Sequence, residues 1–272
     1  MEFFLSDQTK EALAKYRELS QKIVLWLQPL MEFQKRLEEV IKPIRDNLNK
    51  STEVLRGISI FSNIIRANDA LIDLQFVFTD YLSSKISEEI LDALSIEAWV
   101  DNYYFENSEE RFCKLLNRCK AHLQTETERR LLCECEQAYI NQSYHLACIG
   151  LFSLTDGVLS EITESNQTSV AKRLNIINDK IVTNTTLDEY DARFFCIFQA
   201  MYRVSEDNDK SIIKCRELFE SSDFNGLEPK YLNRHWTIHG RTERIFNRLD
   251  VLRILQWIDG LFYIVSPNNQ EN

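Results

Sequence analysis

Arg234-His235-Trp236-Thr237-Ile238-His239 places two imidazoles and a guanidinium within one short stretch, and only four histidines occur in the chain: His122, His145, His235 and His239. Imidazole is the side chain whose ordinary pKa suits proton transfer near neutral pH. A guanidinium supplies a permanent charge in the fork geometry that fits a phosphate. Acid-base chemistry beside an anionic group is what these residue types could do together. Between Lys230 and Arg253 there are six basic residues (Lys230, Arg234, Arg241, Arg244, Arg248, Arg253) against Glu243 and Asp250, a local excess of four positive charges in a chain of net charge −10. Such a local field could draw a polyanion to one place on an otherwise repulsive surface. The overall charge argues against general nucleic-acid coating, which needs many clustered cations to release counterions.

Several readings of the histidine pair stand open on the residues alone. His235 and His239 lie four apart, as in a zinc protease, but Trp236 stands where that chemistry needs a Glu general base. A metal site of another kind is compatible with the spacing. So is a structural role, in which one histidine packs in the core and the arginines form a solvated face. His122 and His145 have no chemical partner near them in sequence and are expected to pack or face water. Cys133 and Cys135 form a Cys-x-Cys pair, yet no second pair has zinc-ligand spacing. No metal and no cofactor is therefore expected.

The elements that must carry these residues read as helices. Six Gly and four Pro are few for a sheet protein, which needs turn residues between short strands. Apolar residues recur at three- and four-residue steps from Leu13 to Leu48, with a kink or break expected at Pro29 and Pro43. Further helices are predicted over Ser59–Leu82, Ser87–Leu94 and Ser108–Leu123. The polar stretch Lys120–Glu126 is the candidate boundary, dividing an N-terminal helical region, 1–122, from a helical domain, 123–265, and a disordered tail, 266–272. Thr125–Ile140 and Tyr144–Ile162 read as two helices joined by Asn141-Gln142-Ser143. So short a turn makes them an antiparallel hairpin, with Leu132, Cys135 and Tyr139 facing Ala147, Leu151, Leu154, Val158 and Ile162. Helices are also expected at Thr168–Val182, Leu187–Val204 and Lys210–Ser221, with Phe194, Phe195 and Phe198 as core. Turn formers at 222–226 break the pattern, and Pro229 is placed to open the next helix. The fold class is all-α: a helical bundle with an N-terminal long-helix region.

Arg234-His235-x-x-x-His239, flanked by Asn233 and Gly240, resembles the Arg-polar…His signature of the HEPN superfamily. The hairpin Glu136-Gln137-Ala138-Tyr139…Tyr144-His145-Leu146-Ala147 is similar to the first two helices of HEPN domains, and it precedes the motif as it does there. The resemblance covers about residues 125–265. It implies a bundle that forms a homodimer and brings two motifs into one cleft. It further implies an RNA endonuclease, of toxin or phage-defence kind, that works without metal through attack of the ribose 2′-hydroxyl on the adjacent phosphate. His239 would then be the general acid or base, Arg234 would stabilise the transition state, and His235 would assist proton transfer or orient the phosphate. Asn233, Lys230, Arg241 and Arg244 would hold the RNA backbone. An antitoxin or regulatory protein is a further partner compatible with that role. On an unbroken helix Arg234 and His239 lie about 140° apart, which pairing across a dimer would resolve.

Two other function classes remain beside the ribonuclease: an inactive HEPN-like interaction or dimerisation module, and a helical scaffold whose basic stretch meets an acidic partner. The beginning MEFFLSDQTK has no basic leader or cleavage pattern, and seven cysteines in no regular framework point to reduced thiols. No apolar run is expected to span a membrane. Cytoplasmic localisation follows as the expectation.

Overall fold

A computed structural model describes residues 52–165, 170, 172–174, 176–177, 192–202, 218–219 and 224–265. All regular structure among the described residues is helical: α1 Thr52–Ile72, α2 Ser84–Asp92, α3 Ile96–His122, α4 Glu126–Ile140, α5 Tyr144–Thr163, α6 Ala192–Tyr202, α7 Arg234–Ile238 and α8 Arg248–Val265. The chain divides into two compact units at Ser59/Ile60, and the hairpin and the motif both belong to the second unit. The long helical period of 13–48, the kinks at Pro29 and Pro43, the helix expected over 210–221 apart from Leu218 and Phe219, which form a turn, and the tail 266–272 lie outside the described residues.

The hairpin forms where its local signals stand. Thr125 caps α4 in a reciprocal box, its hydroxyl accepting from the Glu128 amide while the Glu128 carboxylate accepts from the Thr125 amide. Asn141 closes the helix, Gln142 takes a left-handed φ of 57°, and Ser143 begins α5. Leu132, Cys135 and Tyr139 of α4 are buried, as are Ala147, Leu151, Leu154 and Val158 of α5, while Ile162 is partly buried. At Gly150 a Cβ would stand only 2.4 Å from the Cys135 Sγ, so glycine lets the two helices approach this closely.

α5 is long and apolar enough, by length and composition, to cross a membrane. That corrects the expectation that no apolar run reaches such a length. Half of that apolar stretch is buried, in packing against α4, α7 and α8, while Leu146 stays exposed. α8 is the central element, buried from Asp250 through Leu261, and it packs against α3, α5 and α6. Gly260 permits that closeness: a Cβ there would stand 3.1 Å from Val77, 3.2 Å from Ile197 and 3.2 Å from Met201.

α8 also carries charges into the core. Asp259, fully buried, accepts from the Arg118 Nε at 3.2 Å and Nη2 at 2.9 Å. Asp250 is held by Arg244 at 2.6 Å and by Arg253 at 3.0 Å, and Arg253 reaches Glu97 at 2.5 Å. Each buried carboxylate is therefore met by a guanidinium, which is the condition for burying it at all.

Two of the predicted helices depart furthest from their expected limits. The second predicted helix begins before Ser59, at Thr52, and stops at Ile72 instead of Leu82, because Gln75 adopts φ 64° and the chain runs on extended. Phe76, Val77 and Phe78 are buried in that extended segment. A lone extended segment has no ladder for its carbonyls, and arginines supply the donors: Arg253 to the Leu74 carbonyl at 2.9 Å and Arg193 to the Thr79 carbonyl at 2.6 Å. α3 begins at Ile96 under a Ser95 cap, twelve residues before the predicted start at Ser108, and is interrupted by non-helical backbone at Glu106–Glu109. Of the core phenylalanines expected near 194–198, Phe194 is buried and stacks on Phe198 at 5.8 Å.

Candidate functional site

The motif lies on α7, a five-residue helix with a local explanation at both ends. Asn233 is the N-cap: its side-chain oxygen accepts from the Trp236 amide at 3.2 Å. At the other end His239 is the C-cap and Gly240 turns left-handed with φ 60°. The Gly240 amide donates to the Thr237 carbonyl and the Arg241 amide to the Trp236 carbonyl, the paired bonds of a Schellman ending. Buried Trp236 and Thr237 anchor the helix, which packs against α5. Asn233 and Gly240 thus each have a structural task independent of any chemistry.

Pro229 does not open a helix, contrary to expectation; residues 227–233 are non-helical. This segment is tied instead to the chain beyond α7. The Glu228 carboxylate accepts from the Thr242 hydroxyl and from the Glu243 amide, and the Lys230 carbonyl accepts from Arg244 Nη1 at 3.3 Å. Those cross-links hold the backbone away from helical geometry until Asn233 caps α7.

His235 and His239, four apart on α7, come together with ring centroids 4.8 Å apart. Phe224 completes a cluster with them: His235 stacks on it at 4.3 Å and 11°, and His239 meets it edge-on at 5.5 Å. Arg241 lies over the same Phe224 ring at 4.4 Å. Burial, then the neighbouring His239, Arg234 and Arg241 charges, hold the His235 imidazole below the ordinary histidine pKa. His235 is accordingly biased toward the neutral form that accepts a proton. His239 is exposed.

Arg234 is held by a carboxylate. Its guanidinium is ion-paired with Asp156 of α5, whose carboxylate also binds Arg173 at 2.8 Å. The Arg234 amide donates to the Leu218 carbonyl at 2.7 Å. Of the six basic residues between Lys230 and Arg253, four are paired within the protein: Arg234 with Asp156, Arg244 with Asp250, Arg248 with Asp101, and Arg253 with Asp250 and Glu97. The local positive excess is thereby mostly spent on internal carboxylates. Among the described residues, Lys230 and Arg241 are the basic side chains of this stretch that pair with no carboxylate, and both are exposed. The structure therefore brings His235, His239 and Arg241 together, sets Arg234 beside them on Asp156, and uses Asn233 and Arg244 inside the fold.

Comparison with protein-family models, with curated proteins and with solved structures finds no match. Three neighbours of the motif carry no sequence signal. Asp156 is 78 residues away from Arg234. Phe224 sits in a run of turn formers. His145, expected to pack or face water, packs: it stacks on Phe246 at 4.3 Å and 6°, with Nε2 3.5 Å from the Thr237 carbonyl of α7. Its position opposite α7 follows from the hairpin's packing. His122 stacks on Phe262 at 5.2 Å. No group of three His, Cys, Asp or Glu stands close enough to hold a metal ion among the described residues, and no disulfide joins the described cysteines.

Proposed function

We propose that this chain is an endoribonuclease whose acid-base pair is His235 and His239, working without a metal ion. The observation that carries the reading is the meeting of the two imidazoles at 4.8 Å on an accessible helix, one of them held toward its neutral form. Neutral His235 accepts the proton of the ribose 2′-hydroxyl. The 2′-oxygen attacks the adjacent phosphorus, the P–O5′ bond breaks, and His239, as the general acid, gives a proton to the leaving 5′-oxygen. The products are a 2′,3′-cyclic phosphate and a free 5′-hydroxyl. Arg234 keeps several N–H donors beyond its bond to Asp156 and offers them to the charge that builds on the phosphoryl oxygens. RNA contacts outside the reacting group fall to Lys230 and Arg241, since Asn233 and Arg244 are engaged within the fold. The HEPN resemblance adds a cytoplasmic homodimer of toxin or phage-defence kind, with an antitoxin or regulatory protein as a further partner.

A non-catalytic HEPN-like interaction module is the second reading. It is favoured by the structural tasks of Asn233 and Gly240 and by the Arg234–Asp156 pair. Total RNA incubated with purified protein in EDTA separates the two. The ribonuclease reading expects cleavage by the wild type, 2′,3′-cyclic phosphate ends, and loss of cleavage by at least about a hundredfold in His239→Ala and His235→Ala. Equal cleavage by all three proteins, or none by the wild type, would move the assignment to the interaction module. Activity abolished by EDTA and restored by a divalent ion would replace the acid-base pair with a metal site.

A further inference from the structure

We infer that Arg241, held on Phe224, is a stacking seat for an unpaired nucleobase next to the histidine pair. The inference rests on the ribonuclease reading for the identity of the strand, and it moves Arg241 from backbone contact to base contact.

Charge alone cannot hold a polyanion here. The chain has net charge −10, and four of the six basic side chains between Lys230 and Arg253 are already paired with carboxylates. Binding through phosphates needs many unspent cations acting together. Attraction of another kind must contribute, and the planar groups around Phe224 supply it. Arg241 is exposed, has no carboxylate partner among the described residues, and lies 4.4 Å from the Phe224 ring centroid. Phe224 is itself held by His235 at 4.3 Å and by Trp236 edge-on at 5.4 Å, so the ring is a fixed support. A guanidinium lying on an aromatic ring loses little further freedom when a second flat group stacks on it. Nucleobases in single-stranded RNA stack on arginine planes and aromatic rings in this way, whereas bases within a duplex have no free face to offer. His239 contacts the same Phe224 ring at 5.5 Å, which sets the seat one side chain away from the proposed proton donor. The seat therefore selects unpaired RNA over duplex.

Fluorescence anisotropy with the full chain and a short 2′-O-methyl RNA tests this, because that RNA lacks the attacking hydroxyl and stays intact. Arg241→Lys keeps the charge and removes the plane. Its binding is expected to weaken about tenfold, and a matching duplex is expected to bind at least about tenfold more weakly than the single strand. An RNA with abasic positions and the same phosphates should bind the wild type as weakly as intact RNA binds Arg241→Lys. Wild-type affinity in Arg241→Lys, or equal affinity for single strand and duplex, would overturn the stacking seat. The nuclease reading is read separately, from cleavage of ordinary RNA by the wild type and His239→Ala. Base-dependent binding without cleavage would retain the seat and sink the nuclease. His239-dependent cleavage with no effect of Arg241→Lys on binding would do the reverse.

Discussion

Asp156 of α5 and Arg234 of α7 form an ion pair across 78 residues of sequence, and Arg173 binds the same carboxylate. The pair fastens the motif helix to the hairpin at the residue that the HEPN resemblance singles out for chemistry. One carboxylate thus serves two guanidinium groups, and that asymmetry can be measured.

Asp156→Ala should cost more stability than Arg234→Ala. The first leaves Arg173, only 3% exposed, without its counter-ion, and should lower stability by about 2–4 kcal/mol. The second leaves the Asp156–Arg173 pair intact and should cost about 1–2 kcal/mol. Urea unfolding midpoints give the order. An Arg234→Ala protein less stable than Asp156→Ala would show that Arg234 does more in the fold than pair with Asp156.

The depressed pKa of His235 makes a pH prediction with a definite sign. Burial is the largest cause, followed by the charges of His239, Arg234 and Arg241. Between the lowered folded value and the ordinary value near 6.5, the unfolded chain binds more protons than the folded one. Stability from this group is therefore complete above about pH 6.5 and declines as pH falls toward the folded pKa. His235→Gln should flatten that decline in urea midpoints measured from pH 8 to pH 5. An unchanged slope would place the titration elsewhere.

Gly150 should resist enlargement because of one atom. A Cβ at this position meets the Cys135 Sγ, so Gly150→Ala should cost about 1–3 kcal/mol by overpacking. In a Cys135→Ala background the same substitution should cost much less, since the obstructing sulfur is gone. Thermal midpoints of the four proteins close the cycle. Additive losses would mean the strain lies in the α5 backbone and not in that contact.

Arg118→Met should be among the most damaging single changes. It strips Asp259, whose side chain is fully buried, of its guanidinium, at a cost of about 3–5 kcal/mol. Asp80, which shares Arg118 at 3.0 Å, is more exposed and tolerates the loss better. Pairing Arg118→Met with Asp259→Leu removes the stranded charge as well. Urea unfolding of that double variant should recover most of the loss, and a double variant weaker than the single one would mark the pair as a specific packing element.

The helical class was legible in the sequence because helices are written in short-range terms. Spacing of apolar residues and the Asn141-Gln142-Ser143 turn act within a few residues, and the Thr125 capping box and the Asn233 and Gly240 caps that the structure adds are of the same local kind. The His235–His239 meeting belongs to the same kind, since residues four apart share a helix face. The surroundings of those histidines are not encoded that way. The basic stretch reads as a positive field until packing sets the distant Asp156, Asp101 and Glu97 against three of its arginines. The predicted helix to Leu82 ends at Ile72, where Gln75 turns left-handed and arginines from distant elements meet the carbonyls of Leu74 and Thr79. Phe224 acquires its place under Arg241 only when the loops on either side of α7 are tied together. Ion pairs and ring contacts depend on which side chains long-range packing brings within a few ångströms, and no local spacing encodes that.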